Sequence, residues 1–282
     1  MTTWWQRKQP TPVTYPPLAP EQIQSFNDNG FLIVELNFAP IILDQVVTDM
    51  APKYAVNKSN NTLQPGTRVQ DGWKHSNAVH HLATKQNALD YLGQLFGKKA
   101  KAFQTLNFPV GTQQKLHSDT IHFNSIPPRN MAGIWVALED VTMDNGPLVY
   151  YPGSHKMPEY NMQDIGLDVG HENYKGYEVF IENKMKESEI EPSYGLMKKG
   201  QALIWHANLI HGGSKRRVES STRHSQVTHY YFEGCKYFTP MMSTQNNIAW
   251  RDPQWIPLKK DNFYRRSRKI ISRVKSLVIA KI

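Results

Sequence analysis

The sequence holds a single cysteine, Cys235, among 282 residues. That excludes a disulfide framework within the chain and any thiolate cluster around zinc. A metal held by this protein must therefore be held by histidine and carboxylate. No apolar run approaches the ~20 residues of a membrane-spanning helix, and the opening MTTWWQRKQP lacks the apolar stretch and small-residue cleavage site of a secretory signal. These absences lead to the expectation of a cytoplasmic protein. No internal repeat is present. Acidic residues are outnumbered, giving a formal net charge of +9, but residues 259–282 hold nine Lys or Arg against one Asp, which leaves the rest at about +1. The basic excess belongs to the tail, so no nucleic-acid partner is expected for the body.

With 39% hydrophobic and 11% aromatic residues, the chain can bury the core of one large β-rich domain. Five prolines between Pro10 and Pro20 make residues 1–19 an extended N-terminal arm. The stretch APEQIQSFNDNG predicts a short helix opened near Pro20 and closed by Gly30, followed by a strand, FLIVEL. A second helical pattern covers Ala83 to Leu95. From Lys101 onward the pattern changes to strands: AFQTLNF, QKLHSDTIHF, MAGIWVALEDV, PLVYYPGS, QALIWHANLIHGG and SQVTHYYF, separated by Pro, Gly and Asn turns. Many strands without alternating helices indicate a closed β sandwich or jelly roll, here a double-stranded β-helix with flanking helices in one domain over residues 20–258. Two long polar segments, 62–81 and 157–199, are candidate lids or else solvated loops, and the second carries His171, Tyr174 and Tyr177. The tail, 259–282, places Ile270, Ile271, Val274, Leu277, Val278 and Ile282 at helical spacing opposite Lys and Arg. Such a basic amphipathic helix suits an anionic lipid surface or a protein partner, or docks on its own domain. The oligomeric state is left open by the sequence.

Residues 114–123, QKLHSDTIHF, carry the first chemical signal. Read as a strand, the segment puts His117 and Asp119 on one face, ~7 Å apart, which suits a single metal ion. His211 follows another strand and precedes Gly212 and Gly213, which let the backbone pass close to a ligand. Two imidazoles and one carboxylate form the facial set that leaves positions open on non-haem Fe(II). On the same strand reading Lys115 shares the face of His117 and looks into the metal cavity, where it would bind an anionic group of the substrate or cosubstrate, unless the strand edge lets it reach solvent. Trp135 alternates with the small residues Gly133 and Ala137, as in a pocket wall or in ordinary core packing.

The stretches LHSDTIHF, IWVALEDVTMDNGPLVYYPGSHK and GQALIWHANLIHGGS, with TRHSQVTHYYF after them, resemble the phytanoyl-CoA dioxygenase family of Fe(II)- and 2-oxoglutarate-dependent oxygenases, from about Pro20 to Phe238. The resemblance implies that His117, Asp119 and His211 are the iron ligands and the catalytic set, and that Arg223, twelve residues after His211, binds the distal carboxylate of 2-oxoglutarate. That spacing and the glycine pair favour His211 over His206, which is expected to pack or to orient by a hydrogen bond. Trp135 occupies the family's aromatic position, and Asn107 is a cosubstrate candidate on the strand before the HxD motif. Independently, Arg223 opens a strand whose face Ser225 shares, so a guanidinium and a hydroxyl can converge on one carboxylate. An exposed arginine is the other reading, which Arg216 and Arg217 fit better. Two positions depart from the family: Gln201 stands where Asp is common, and Gly213 where a hydroxyl often helps bind the cosubstrate, a role open to Ser214 or Ser225. The implied cofactors are Fe(II), 2-oxoglutarate and O2. The implied reaction is hydroxylation of an unactivated C–H bond of a small organic molecule, with release of succinate and CO2. Asp119 argues against the halogenase variant, which has a small residue there. The alternatives are a cupin-like metal-binding sensor without turnover, and a zinc hydrolase, which leaves Arg223 and Trp135 unexplained.

Overall fold

A computed structural model describes residues 16–55 and 63–258. The N-terminal arm up to residue 15 and the basic amphipathic tail lie outside the described residues. Pro20 at the first helical position presets φ for α1 (Pro20–Asn29), and Gly30, at φ 78°, closes it by donating its N–H to the Phe26 carbonyl at 2.7 Å. Then come β1 (Phe31–Glu35), α2 (Pro40–Met50), β2 (Val69–Gln70), α3 (Asn77–Ala83) and α4 (Gln86–Phe96). The strand-rich part holds β3 (Ala100–Phe108), β4 (Asn124–Ile126), β5 (Met131–Ala137), β6 (Leu148–Tyr150), α5 (Tyr174–Glu187), β7 (Ser193–Tyr194), β8 (Gln201–His206), β9 (His211–Gly213), β10 (Ser225–Phe232), β11 (Lys236–Phe238) and β12 (Trp250–Arg251).

An antiparallel main sheet runs β1-β8-β5-β10-β3-β2, and two three-stranded sheets run β7-β6-β9 and β12-β11-β4. This is the jelly-roll core with flanking helices that the strand pattern predicts. The continuous apolar run of β5 follows from burial on both faces. Ala132, Ile134 and Val136 pack with residues of α2, α3 and α4, whereas Trp135 and Ala137 join Phe108, Leu203, Trp205 and Val227 inside the roll. One side of the strand thus holds the helices and the other builds the cavity wall. No helix among the described residues is long and apolar enough to cross a membrane.

The structure corrects the strand reading of QKLHSDTIHF. Gln113 takes φ 50°, which turns the chain out of an extended path. His117 then makes an isolated antiparallel bridge with His211, and Asp119 opens a 3-10 turn, Asp119–Ile121. The segment 157–199 also differs from a long loop, because α5 buries Tyr177, Ile181 and Met185, spaced four apart, against Ile121, Met162, Ile210 and Met241. The expected helix over 83–95 appears as α4, with α3 as a separate short helix capped by the Ser76 hydroxyl.

Gly133 faces Trp205 across the β5–β8 pair, and a Cβ there would stand 2.2 Å from the indole ring. Gly133→Ala is therefore expected to destabilise the protein by about 1–3 kcal/mol through overpacking and to displace Trp205. Urea denaturation and the tryptophan fluorescence maximum check both effects.

Candidate active site

Backbone hydrogen bonds set the positions of the three candidate metal ligands. The His117 N–H donates to the His211 carbonyl at 3.0 Å, and the His211 N–H returns the bond at 2.9 Å. The Asp119 N–H donates to the Ala207 carbonyl at 2.9 Å. Close approach of the two segments depends on the glycine pair: a Cβ on Gly212 would lie 2.8 Å from the Gln114 carbonyl, and one on Gly213 2.6 Å from the Gln113 nitrogen. The glycines thus serve the approach of chain to chain more than of chain to ligand.

The side chains are equally constrained. His117 Nδ1 donates to the Lys115 carbonyl at 2.8 Å and His211 Nδ1 to the Leu209 carbonyl at 2.9 Å, so each ring keeps its lone pair on Nε2, which in His117 accepts from Gln114 Nε2 at 3.2 Å. Asp119 Oδ1 stands 3.9 Å from both Nε2 atoms, and the three ligand atoms lie within 4.8 Å of one another. Trp205 Nε1 donates to the other carboxylate oxygen, Oδ2, at 2.7 Å. Burial pushes the His117 imidazole down to about 3, helped by the nearby His211. Burial opposes ionisation of Asp119, but His211, His229, His117 and the Trp205 hydrogen bond outweigh it and hold the carboxyl below its ordinary range. Neutral imidazoles and an ionised carboxylate are the states that ligate a metal.

These groups open on a cavity of about 570 Å³, within the usual range for small-molecule sites. Arg223 lines the same cavity, fully buried, with its Cζ 5.0 Å from the Trp135 ring centroid. Its Nε has no hydrogen-bond partner, and the side chain makes no ion pair among the described residues. Burial pushes its pKa down to about 10 against the opposing pull of the Glu139 carboxylate, which leaves the guanidinium protonated at neutral pH. Trp135 is thus cavity wall and arginine platform together.

Three sequence-based assignments are corrected or narrowed. Lys115 does not look into the cavity, because no strand forms there; its side chain is 69% exposed, with Nζ 3.9 Å from Glu182, and what it gives the site is the carbonyl that fixes His117. Asn107 points to the opposite face of β3 from the cavity-lining Leu106 and Phe108, donating to Gln226 Oε1 at 3.2 Å and packing over Gly72. Ser225 lies on the face of Val227 and His229, its Oγ buried without a partner, but it is not part of the cavity lining. His206 sits outside the cavity, with Nδ1 accepting the Asn208 N–H at 3.0 Å and its ring stacked on Phe96. Of the two lid candidates, 62–81 brings Arg68 and Gln70 to the cavity and 157–199 brings His171.

Sequence reasoning missed Trp205, His229 and Arg251 in the lining. Trp205 was readable, since strand alternation aligns it with Leu203 and opposite the glycine at 133. His229 Nε2 stands 3.8 Å from Asp119 Oδ2, and its Nδ1 pairs with Gln104 Oε1 at 2.8 Å. His122, without an assigned partner in the sequence, meets the Tyr174 hydroxyl at 3.1 Å on the cavity wall.

The Phytanoyl-CoA dioxygenase (PhyH) family model matches residues 26–225. The chain belongs to the phytanoyl-CoA dioxygenase family. It is 25% identical over 264 residues to the peroxisomal phytanoyl-CoA dioxygenase of Rattus norvegicus, covering 82% of this chain and 74% of that one. Its fold is shared with the non-heme alpha ketoglutarate dependent carbocyclase SnoK from nogalamycin biosynthesis (TM-score 0.63, 12% identity, 78% of this chain and 86% of that one). EctD from S. alaskensis with 2-oxoglutarate and 5-hydroxyectoine is also similar (TM-score 0.58, 16% identity, 87% and 85%). The chain is accordingly an enzyme of the iron- and 2-oxoglutarate-dependent oxygenase class, with O2 as the second cosubstrate. The residues fit those groups: two imidazole nitrogens and a carboxylate suit ferrous iron, and a buried guanidinium with an unpartnered Nε and no direct ion pair among the described residues suits a dicarboxylate.

Burial pushes His206 down to about 3 from the ordinary imidazole value of 6.5. Its folded-state pKa lies below its unfolded one, so its contribution to stability is complete above pH 6.5 and is lost as pH falls toward the folded value. Urea titrations of the metal-free protein from neutral pH to about pH 5 should show stability falling, with His206→Asn falling less steeply, by about 1 kcal/mol per pH unit on average.

Proposed function

We propose that the chain oxidises an unactivated C–H bond of a small organic molecule, by hydroxylation, with succinate and CO2 as coproducts, and that His117, Asp119 and His211 hold the iron. The observation that carries this reading is that one cavity contains both the His117–Asp119–His211 set and the buried, unpaired guanidinium of Arg223. Bound iron supplies oxygen activation coupled to oxidative decarboxylation of 2-oxoglutarate. The protein's own share is positional. The Lys115 and Leu209 carbonyls fix both ring tautomers, and Trp205 holds Asp119 with Oδ1 turned to the imidazoles. Arg223 clamps the distal carboxylate of the cosubstrate with its planar fork, braced on Trp135. Leu106, Phe108 and Val227 give the cavity an apolar wall that limits water near the reacting atoms. With Asp119 present, carboxylate fills the position that a halide would need.

Iron-dependent succinate formation, stimulated above background by members of a substrate panel, tests the reaction. His117→Ala, Asp119→Ala and His211→Ala are each expected to abolish it, while His206→Ala keeps its iron by metal analysis; the reverse outcome for the last two displaces His211. Arg223→Gln should keep its iron and lose roughly thirtyfold or more in 2-oxoglutarate affinity, the cost of truncating a buried charge pair. Anaerobic titration followed by the metal-to-ligand absorption band measures this, with Arg223→Lys in between. Unchanged affinity removes Arg223 from the site and favours the metal-binding protein without turnover.

A further inference from the structure

The cavity lining carries three guanidinium groups, from Arg68, Arg223 and Arg251, against one carboxylate, Asp119. On the reading above, ferrous iron and Arg223 are balanced by Asp119 and the 2-oxoglutarate dianion. Arg68 is exposed, where water and counter-ions neutralise it. Arg251 is left over. Strand β12 brings it to the cavity, where its Cζ lies 4.8 Å from the Phe123 ring centroid and one terminal amino group donates to Thr239 Oγ1 at 3.1 Å. Its Nε is buried without a partner, and it makes no ion pair among the described residues. The adjacent Asp252 is exposed and takes no part in the lining.

Arg251 and Arg223 are anchored at opposite ends of the cavity wall. The Arg223 N–H is tied to the Pro109 carbonyl, just past the end of β3, whereas Phe123 packs edge-on against Phe103, near its start, and tilts against His229 at 5.1 Å. Six residues of β3, roughly 20 Å of strand, separate these anchors, so the two side chains enter the cavity from opposite ends. His229 in turn stands beside Asp119, which places Arg251, through Phe123, at the His229 edge of the candidate metal set.

We propose that Arg251 binds a carboxylate of the organic substrate, making the substrate a monoanionic organic acid whose apolar body lies against Phe123, Met241 and Met242. This rests on 2-oxoglutarate occupying the Arg223 end. One guanidinium with one terminal amino group engaged by Thr239 matches a single negative charge and the planar fork of a carboxylate. A phosphate dianion asks for a second cation, and the other one in the lining stands in solvent.

The test uses anaerobic, iron-loaded protein saturated with 2-oxoglutarate, and calorimetric titration with 4-phenylbutyrate and hexanoate, each against its primary amide. The unaltered protein is expected to bind at least one acid roughly tenfold more tightly than its amide. Arg251→Gln should erase that preference, and Arg251→Lys should restore part of it, with 2-oxoglutarate affinity unchanged in both. Equal binding of acid and amide, binding of neither, or a preference that survives Arg251→Gln overturns the assignment. So does loss of 2-oxoglutarate affinity in Arg251→Gln without loss in Arg223→Gln, which would exchange the two arginines. Failure of the unaltered protein to bind 2-oxoglutarate strikes the underlying reading instead.

Discussion

Two reciprocal hydrogen bonds between His117 and His211 are the constraint on which the rest of the site depends. Each imidazole belongs to a segment with little regular structure of its own, the first after a turn at Gln113 and the second in a three-residue strand. Pairing their backbones places the two rings 4.5 Å apart between centroids, and the Asp119–Ala207 bond brings the carboxylate to the same point. The geometry therefore comes from main chain, whose positions are less free than side-chain rotamers. Each ring is then turned by the carbonyl two residues before it.

Burial gives this arrangement its electrostatic character. Ionised groups removed from water are costly unless paired, and the site meets that cost unevenly. His117, His122 and His229 are shifted toward the neutral form by burial, and Asp119 is compensated by an indole N–H and surrounding rings. The guanidiniums cannot give up their charge at neutral pH, and neither Arg223 nor Arg251 makes a direct ion pair among the described residues, Glu139 acting on Arg223 only from a distance. Positive charge that no carboxylate of the fold contacts directly is a request for anionic ligands. The two arginines make that request at separate places.

Much of this was legible in the sequence because it rests on local rules. Pro20 and Gly30 bound α1, alternation identifies β5, β8 and β10, and the HxD pair with a distant His-Gly-Gly picks out the three side chains that the fold gathers as a candidate metal set. Lys115 and Asn107 were misplaced for one shared reason: their orientation depends on tertiary context. A single left-handed residue, Gln113, ended the strand that Lys115 was read on, and packing against Gly72 decided which face of β3 receives the Asn107 amide. Arg251 could not be found by pattern, since β12 is two residues long and acquires its place only by pairing with β11. The α5 stripe was present at spacing four but diluted by charged residues.

The double burial of β5 bears on how such a pocket can be reshaped. Its residues serve the helix-packed core on one side and the cavity wall on the other, so enlarging or polarising that wall weakens the scaffold as well. Arg68, His171, Met242 and Arg251 stand under looser demands, on short strands, turns and a two-residue pairing at the rim. New specificity is therefore cheapest to obtain at the rim, with the floor left alone. A directed-evolution library confined to positions 68, 70, 171, 242 and 251 would vary what is recognised while the buried floor stays in place.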